Sequence, residues 1–85
     1  MSVSYDELYR NMTKDNKKIL MIISSQSNVN YKFIQEKTGL KQRSLDIAIA
    51  ELIACCIIEK YKLRENYRET YFKLTRHGIE ISKLL

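Results

Sequence analysis

Between Tyr31 and Leu52 the chain has room for two short helices and one sharp turn, and for little else. Asn30 carries a side-chain oxygen suited to capping a helix that begins at Tyr31 and runs to Thr38. Within it Phe33 and Ile34 turn inward and Lys37 outward. Gly39, one of only two glycines in the 85 residues, sits in the break Thr38-Gly39-Leu40 and supplies the left-handed conformation that ends a helix. Beyond the break Leu45, Ile49, Leu52 and Ile53 recur at helical spacing, a single core-facing stripe. The polar start of that second helix, Lys41-Gln42-Arg43-Ser44, therefore faces away from the core.

Helix, tight turn and helix with a polar leading edge is the layout of a helix-turn-helix. Composition narrows the setting. A chain of 85 residues encloses one apolar core, and 45% hydrophobic residues suffice to build it without metal or disulfide. The net charge of +5 attracts polyanions or anionic membranes, and charge alone does not choose between them. The longest apolar run, Leu52 to Ile58, is too short to span a bilayer, so no membrane role is expected. Residues Met1 to Glu7 have neither the basic start nor the apolar run of a secretion signal. The expected location is the cytoplasm, or a host's cytoplasm for a viral chain.

Catalysis finds little support. His77 is the single histidine, and the chain has no paired carboxylates, no metal-ligand spacing and no phosphate-cradling glycine loop. Neither an enzyme activity nor a cofactor, metal or small-molecule ligand is expected. Cys55 and Cys56 are adjacent, a geometry that strains a disulfide between them. Lying in an apolar run, they are expected to act as small hydrophobes, with an intermolecular disulfide as the alternative.

With no proline and no low-complexity linker, residues 1–85 read as one domain, of which 1–14 form an N-terminal helical extension. Ser4 and Glu7 are placed to cap the first helix, and Tyr5, Leu8, Tyr9 and Met12 give it an apolar stripe. Asp15 or Thr13 caps a second helix reaching about Ser25, and Val29 makes a short strand or bridge. Ile57 to Leu63 and Thr70 to Leu74 are rich in β-branched and aromatic residues and predict a hairpin closed by the charged stretch Arg64 to Glu69. Phe72 and Leu74 then face inward, Tyr71 and Lys73 outward. Thr75 caps a last helix, Arg76 to Leu85, whose terminal Leu84 and Leu85 suggest a partner surface.

The mainly α order with a small β-hairpin resembles the winged helix-turn-helix family, particularly small archaeal and archaeal-virus DNA-binding regulators. The resemblance covers roughly Asp15 to Leu85 and rests on three motifs. These are Gly39-Leu40 followed by Leu45, Ile49 and Leu52; Ile57-Ile58-Glu59 opening the first wing strand; and Phe72-Lys73-Leu74-Thr75 followed by Gly78. Two positions depart from the family pattern. Family members usually have glycine where Cys56 stands, so Cys56 or Cys55 bears a positive φ or the turn differs. They often have Ser or Thr where Lys41 stands, and a lysine there is a poor cap unless an anion sits beside it.

The resemblance implies a sequence-specific regulator of transcription that binds double-stranded DNA as a homodimer, with residues 42–55 in the major groove and the wing, 60–74, on the backbone or in the minor groove. Gln42, Arg43, Ser44 and Ile47 are the expected base contacts: Arg43 matches guanine, Gln42 adenine, and Ile47 a thymine methyl. Ala48 is expected beside Ile47 on the exposed side. Tyr31, Lys32, Lys41, Lys60, Lys62, Arg64, Arg68 and Lys73 are expected on the backbone and wing, with Arg64 or Arg68, and Tyr67, at the hairpin tip. Tyr5, Leu8, Tyr9, Met12, Leu84 and Leu85 are the expected dimerisation surface, which would set half-sites about 34 Å apart. The rival is a winged-helix adaptor that presents Ile47, Ala48 and Ala50 to another protein.

Overall fold

The computed structural model describes residues 4–85; Met1 to Val3, the start of the expected extension and of the segment scanned for a secretion signal, lie outside the described residues. Every helix start except that of α4 follows from a local side-chain hydrogen bond. Ser4 caps α1 (Tyr5–Asn11) by accepting from the Glu7 amide at 3.2 Å. Met12 and Thr13 are extended, so the chain breaks there. Thr13, not Asp15, then caps α2 (Lys14–Ser25), and Asn16 closes a reciprocal capping box with bonds of 3.0 Å in both directions. Asn30 caps α3 (Tyr31–Thr38) through the Phe33 amide at 2.8 Å, and Gly39 ends it at φ 69°. The second helix of the turn, α4, spans Gln42–Ala54.

The sheet has three antiparallel strands in the order β1-β3-β2, with β1 Val29–Asn30, β2 Ile58–Leu63 and β3 Asn66–Leu74. Val29 pairs with Phe72, and Ile58 with Leu74, placing Val29, Ile58 and Phe72 in the core. Around them pack Ile19, Leu20 and Ile23 of α2, Ile34 of α3, Leu45, Ile49 and Leu52 of α4, and Ile81 of α5 (Arg76–Ser82). This core joins the turn, the hairpin and the last helix into one unit. No helix among the described residues is long and apolar enough to cross a membrane.

Four expectations need correction. The hairpin closes on the two residues Arg64 and Glu65, not on a six-residue loop, so Tyr67 and Arg68 lie in β3 and not at its tip. Backbone pairing does not require apolar side chains, and the charged stretch simply continues the ladder beyond a register shift between Tyr61 and Leu63. The last helix stops at Ser82 instead of reaching Leu85. Ala48 is buried, its position falling on the α2-facing side of α4 beside Leu45 and Ile49. Both cysteines are free and exposed, because they occupy the turn after α4 and not the strand that follows.

That turn also locates the positive φ. Cys56 has φ 58°, its amide bonds to Ile53 O at 3.0 Å, and the Ile57 amide reaches back to Leu52 O at 2.9 Å. The pair of bonds is a Schellman closure, with Cys56 in the left-handed position.

Candidate nucleic-acid interface

The stripe Leu45, Ala48, Ile49 and Leu52 anchors α4 against the core and so fixes which side of it meets solvent. Lys41, Gln42, Arg43, Ser44, Asp46, Ile47 and Ala50 are all exposed, and Ile47 keeps 55% of its surface open. From beneath, the Asn16 amide of α2 donates to Ala48 O at 3.4 Å, tying the buried side of α4 to the capping box of its neighbour. The first turn of α4 has no side-chain cap, since Lys41 has no oxygen to offer.

Tyr31 has a role that its expected place on the phosphates does not describe. Its hydroxyl donates to Asp46 Oδ1 at 2.8 Å, while Gln42 O lies at the outer limit of hydrogen bonding, 3.5 Å. Partial burial, and then the Asp46 carboxylate, raise the Tyr31 pKa above the ordinary phenol value, so the hydroxyl remains a donor. Tyr31 therefore braces α3 against α4 at the point where the exposed face begins. Asp46 is the residue of this exposed face that sequence reasoning missed. It stands three positions after Arg43 on the outward side, and its bond to Tyr31 holds it from below. No local signal marked it: the tight turn joins the end of α3 to the start of α4, and the bond spans the 15 positions from Tyr31 to Asp46.

The wing divides its cations in two ways. Directly opposed residues of an antiparallel pair share a face, so Glu59 with Lys73 and Tyr61 with Tyr71 occupy one side, and Lys60 with Phe72 the other. Lys73 is committed within the protein: it pairs with Glu59 at 3.4 Å and lies 5.3 Å from the centre of the Tyr61 ring. Lys62 is committed as well, its ammonium donating to Tyr67 O and to Thr70 Oγ1, each at 3.0 Å, across the register shift. Among the described residues Lys60, Arg64, Arg68 and Arg43 form no ion pair, and all four are exposed, as are Lys32 and Lys41.

The expected dimerisation residues separate similarly. Leu8, Tyr9 and Met12 pack against the chain's own core. Tyr5 sits over α5, its hydroxyl 2.8 Å from His77 Nδ1. Tyr5 stays exposed, as do Leu84 and Leu85 beyond the end of α5 and Ile79, which lies beside Phe72 and Leu74.

Solved structures share this arrangement. The chain superposes on S. aureus MepR, determined in complex with DNA, with a TM-score of 0.82 over 94% of its length at 16% identity. The fold is a winged helix-turn-helix. ZitR of Lactococcus lactis matches it at a TM-score of 0.80 and 20% identity over 87% of the chain. The adhesin competence repressor AdcR of Streptococcus pyogenes matches at 0.79 and 24% identity, again over 87%. The winged helix described here spans 60%, 50% and 53% of those three chains, respectively. No protein-family model matches the chain, and no curated protein sequence does.

Proposed function

We propose that this chain is a sequence-specific binder of double-stranded DNA that regulates transcription as a homodimer and has no catalytic role. The observation that carries the proposal is the face of α4. Gln42, Arg43, Ser44 and Ile47 all stand exposed on a helix whose other side is locked into the core, and Arg43 has no ion-pair partner among the described residues. In the major groove Arg43 reads guanine, Gln42 adenine and Ile47 a thymine methyl. Asp46, braced by Tyr31, accepts from a cytosine amine or repels a misplaced phosphate. Lys32 and Lys41 on one side, with Lys60, Arg64 and Arg68 on the wing, hold the backbone. A solved DNA complex of the structurally similar MepR supports the choice of ligand.

Homodimerisation is part of the proposal. One small module makes few base contacts, and the exposed Tyr5, Ile79, Leu84 and Leu85 give a second copy an apolar surface. The test is selection of duplexes from a random pool, followed by affinity measured across a salt series. The expected result is a defined, two-fold-related site and an affinity that falls steeply as salt rises, because bound cations displace counterions. No selected site and a flat salt response would instead support the protein adaptor, for which the exposed Ile47 and Ala50 are the specific evidence.

A further inference from the structure

A groove unrelated to the α4 face runs between α2 and the end of α3. Lys14, Lys17, Lys18, Met21 and Ile22 follow one another at helical spacing along α2, forming one stripe that is cationic in its first turns and apolar after them. Lys37 of α3 closes the opposite wall of a concavity of about 460 Å³. That volume is typical of small-molecule sites.

None of the four lysines has a carboxylate partner, since the ion pairs among the described residues are Lys73 with Glu59 and Lys83 with Glu80. Two acids adjoin these lysines in sequence: Asp15, which lines a different crevice together with Ser44 and Ile47, and Glu36, which is exposed, does not line the groove and forms no ion pair among the described residues. Two of the ammonium groups are positioned by aromatic faces: Lys17 lies 4.2 Å from the centre of the Tyr9 ring and Lys37 5.5 Å from that of Phe33. The Thr38 hydroxyl on the α3 wall is already used, donating to Ile34 O at 2.8 Å and accepting from the Leu40 amide at 3.3 Å. What the groove offers a ligand is therefore positive charge, from the first turns of α2 and from Lys37 across from it, beside the hydrocarbon of Met21 and Ile22. Met21, 55% exposed, is an apolar side chain without cover.

We propose that this groove binds an anionic amphiphile, with a carboxylate or sulfate head among Lys14, Lys18 and Lys37 and an apolar body on Met21 and Ile22. Like charges around a shared concavity repel one another, and an anion removes that repulsion. A protein partner would need about 800 Å² of matching surface, broader than this groove. A nucleic-acid backbone would supply charge but nothing for the apolar floor.

The experiment titrates decanoate, below its micelle concentration, into the isotope-labelled chain and follows backbone amide resonances. Saturable shifts centred on Lys14, Lys18, Met21 and Lys37 are expected, with neither decanol nor acetate saturating over the same range. Lys18→Glu combined with Lys37→Glu should weaken decanoate binding at least tenfold while preserving the dispersion of the spectrum. Met21→Gln provides an independent loss of affinity should that pair of changes disturb the fold. Equal binding of decanol would reduce the site to an apolar patch, and equal binding of acetate to an adventitious ion only; either overturns the proposal. So would shifts elsewhere, or shifts at these residues with a DNA duplex and not with decanoate.

Discussion

Lys41–Ser44 and Thr75–Gly78 begin helices of the same fold and treat the unpaired amides of a helix start in opposite ways. At the second, the cap is fully engaged: Thr75 accepts from the Gly78 amide at 3.1 Å, and its hydroxyl also reaches Cys56 O and Ile57 O. The Thr75 amide donates to Ile57 O at 3.0 Å, closing the wing onto the last helix. At the first, Lys41 caps nothing, and the residues after it make no side-chain contact that needs them to be what they are. On the proposed function, stability and recognition fall to different helix starts. Substitutions at one should move the melting temperature, and substitutions at the other should move binding.

The largest expected effect breaks the satisfied end. A Cβ built on Gly78 would fall 2.0 Å from Ile57 O, a backbone atom that is itself held by Thr75, so neither side yields cheaply. Gly78→Ala should cost about 3 kcal/mol or more. Gly39→Ala is the control, because its Cβ would meet nothing within 4 Å and only the φ of 69° is penalised, at about 1 kcal/mol. Thermal unfolding of the two variants compares them directly; equal losses would show that contact at Gly78 is not what holds the wing.

Arg43→Ala comes next and should do the reverse. With no ion pair to lose within the described residues, it should leave stability within about 0.5 kcal/mol, while lowering discrimination between the selected site and a site changed at one base pair by about 1–3 kcal/mol. Lys60→Ala is the companion: weaker binding to all duplexes by a similar factor. Measured affinities for matched and mismatched duplexes decide it, and a uniform loss at Arg43 would remove it from base reading.

How much of this was legible in the sequence depends on whether a feature is local. The caps at Ser4, Asn30 and Thr75, the break at Gly39 and the α4 stripe each need only a few neighbouring residues, and all of them appear where the pattern puts them. The positive φ comes from the family resemblance, which leaves Cys56, Cys55 or a different turn open, and the closure after α4 places it at Cys56. Features that depend on distant partners were not legible. Ala48 is different, since it lies three residues after Leu45 and four before Leu52 and the helical spacing already puts it on the core stripe, where α2 with its Asn16 covers it. The wing cations read as one strip because spacing along a strand does not tell which opposed residue shares a face. Pairing with Glu59, and the Lys62 bonds across the irregular register, take two of them out of it.

Lys41→Ser sharpens the contrast from the open side. A serine supplies the missing cap oxygen and removes a positive charge from the positive end of the helix dipole, together worth about 1 kcal/mol. If Lys41 faces a phosphate, the same change should weaken duplex binding and lower the salt slope by about one. The variant should therefore melt higher and bind less tightly. A gain in stability with unchanged binding would make Lys41 merely a tolerated poor cap.

The smallest effect lies inside the satisfied region, at its one strained residue. Cys56 occupies the left-handed position of the closure after α4, and a side chain there costs about 1 kcal/mol or more relative to glycine. Glycine also loosens the unfolded chain, which returns part of the gain, so Cys56→Gly should raise stability by about 0.5–1 kcal/mol. The Thr75 hydroxyl accepted by Cys56 O belongs to the backbone of this residue and survives the change. Because the thiol is exposed and free, its removal has to be separated from relief of the backbone. Cys56→Ser removes the sulfur and keeps the Cβ, and should leave the melting temperature nearly unchanged under reducing conditions. An equal rise in both variants would trace the effect to the thiol, and the junction would then carry no strain to release.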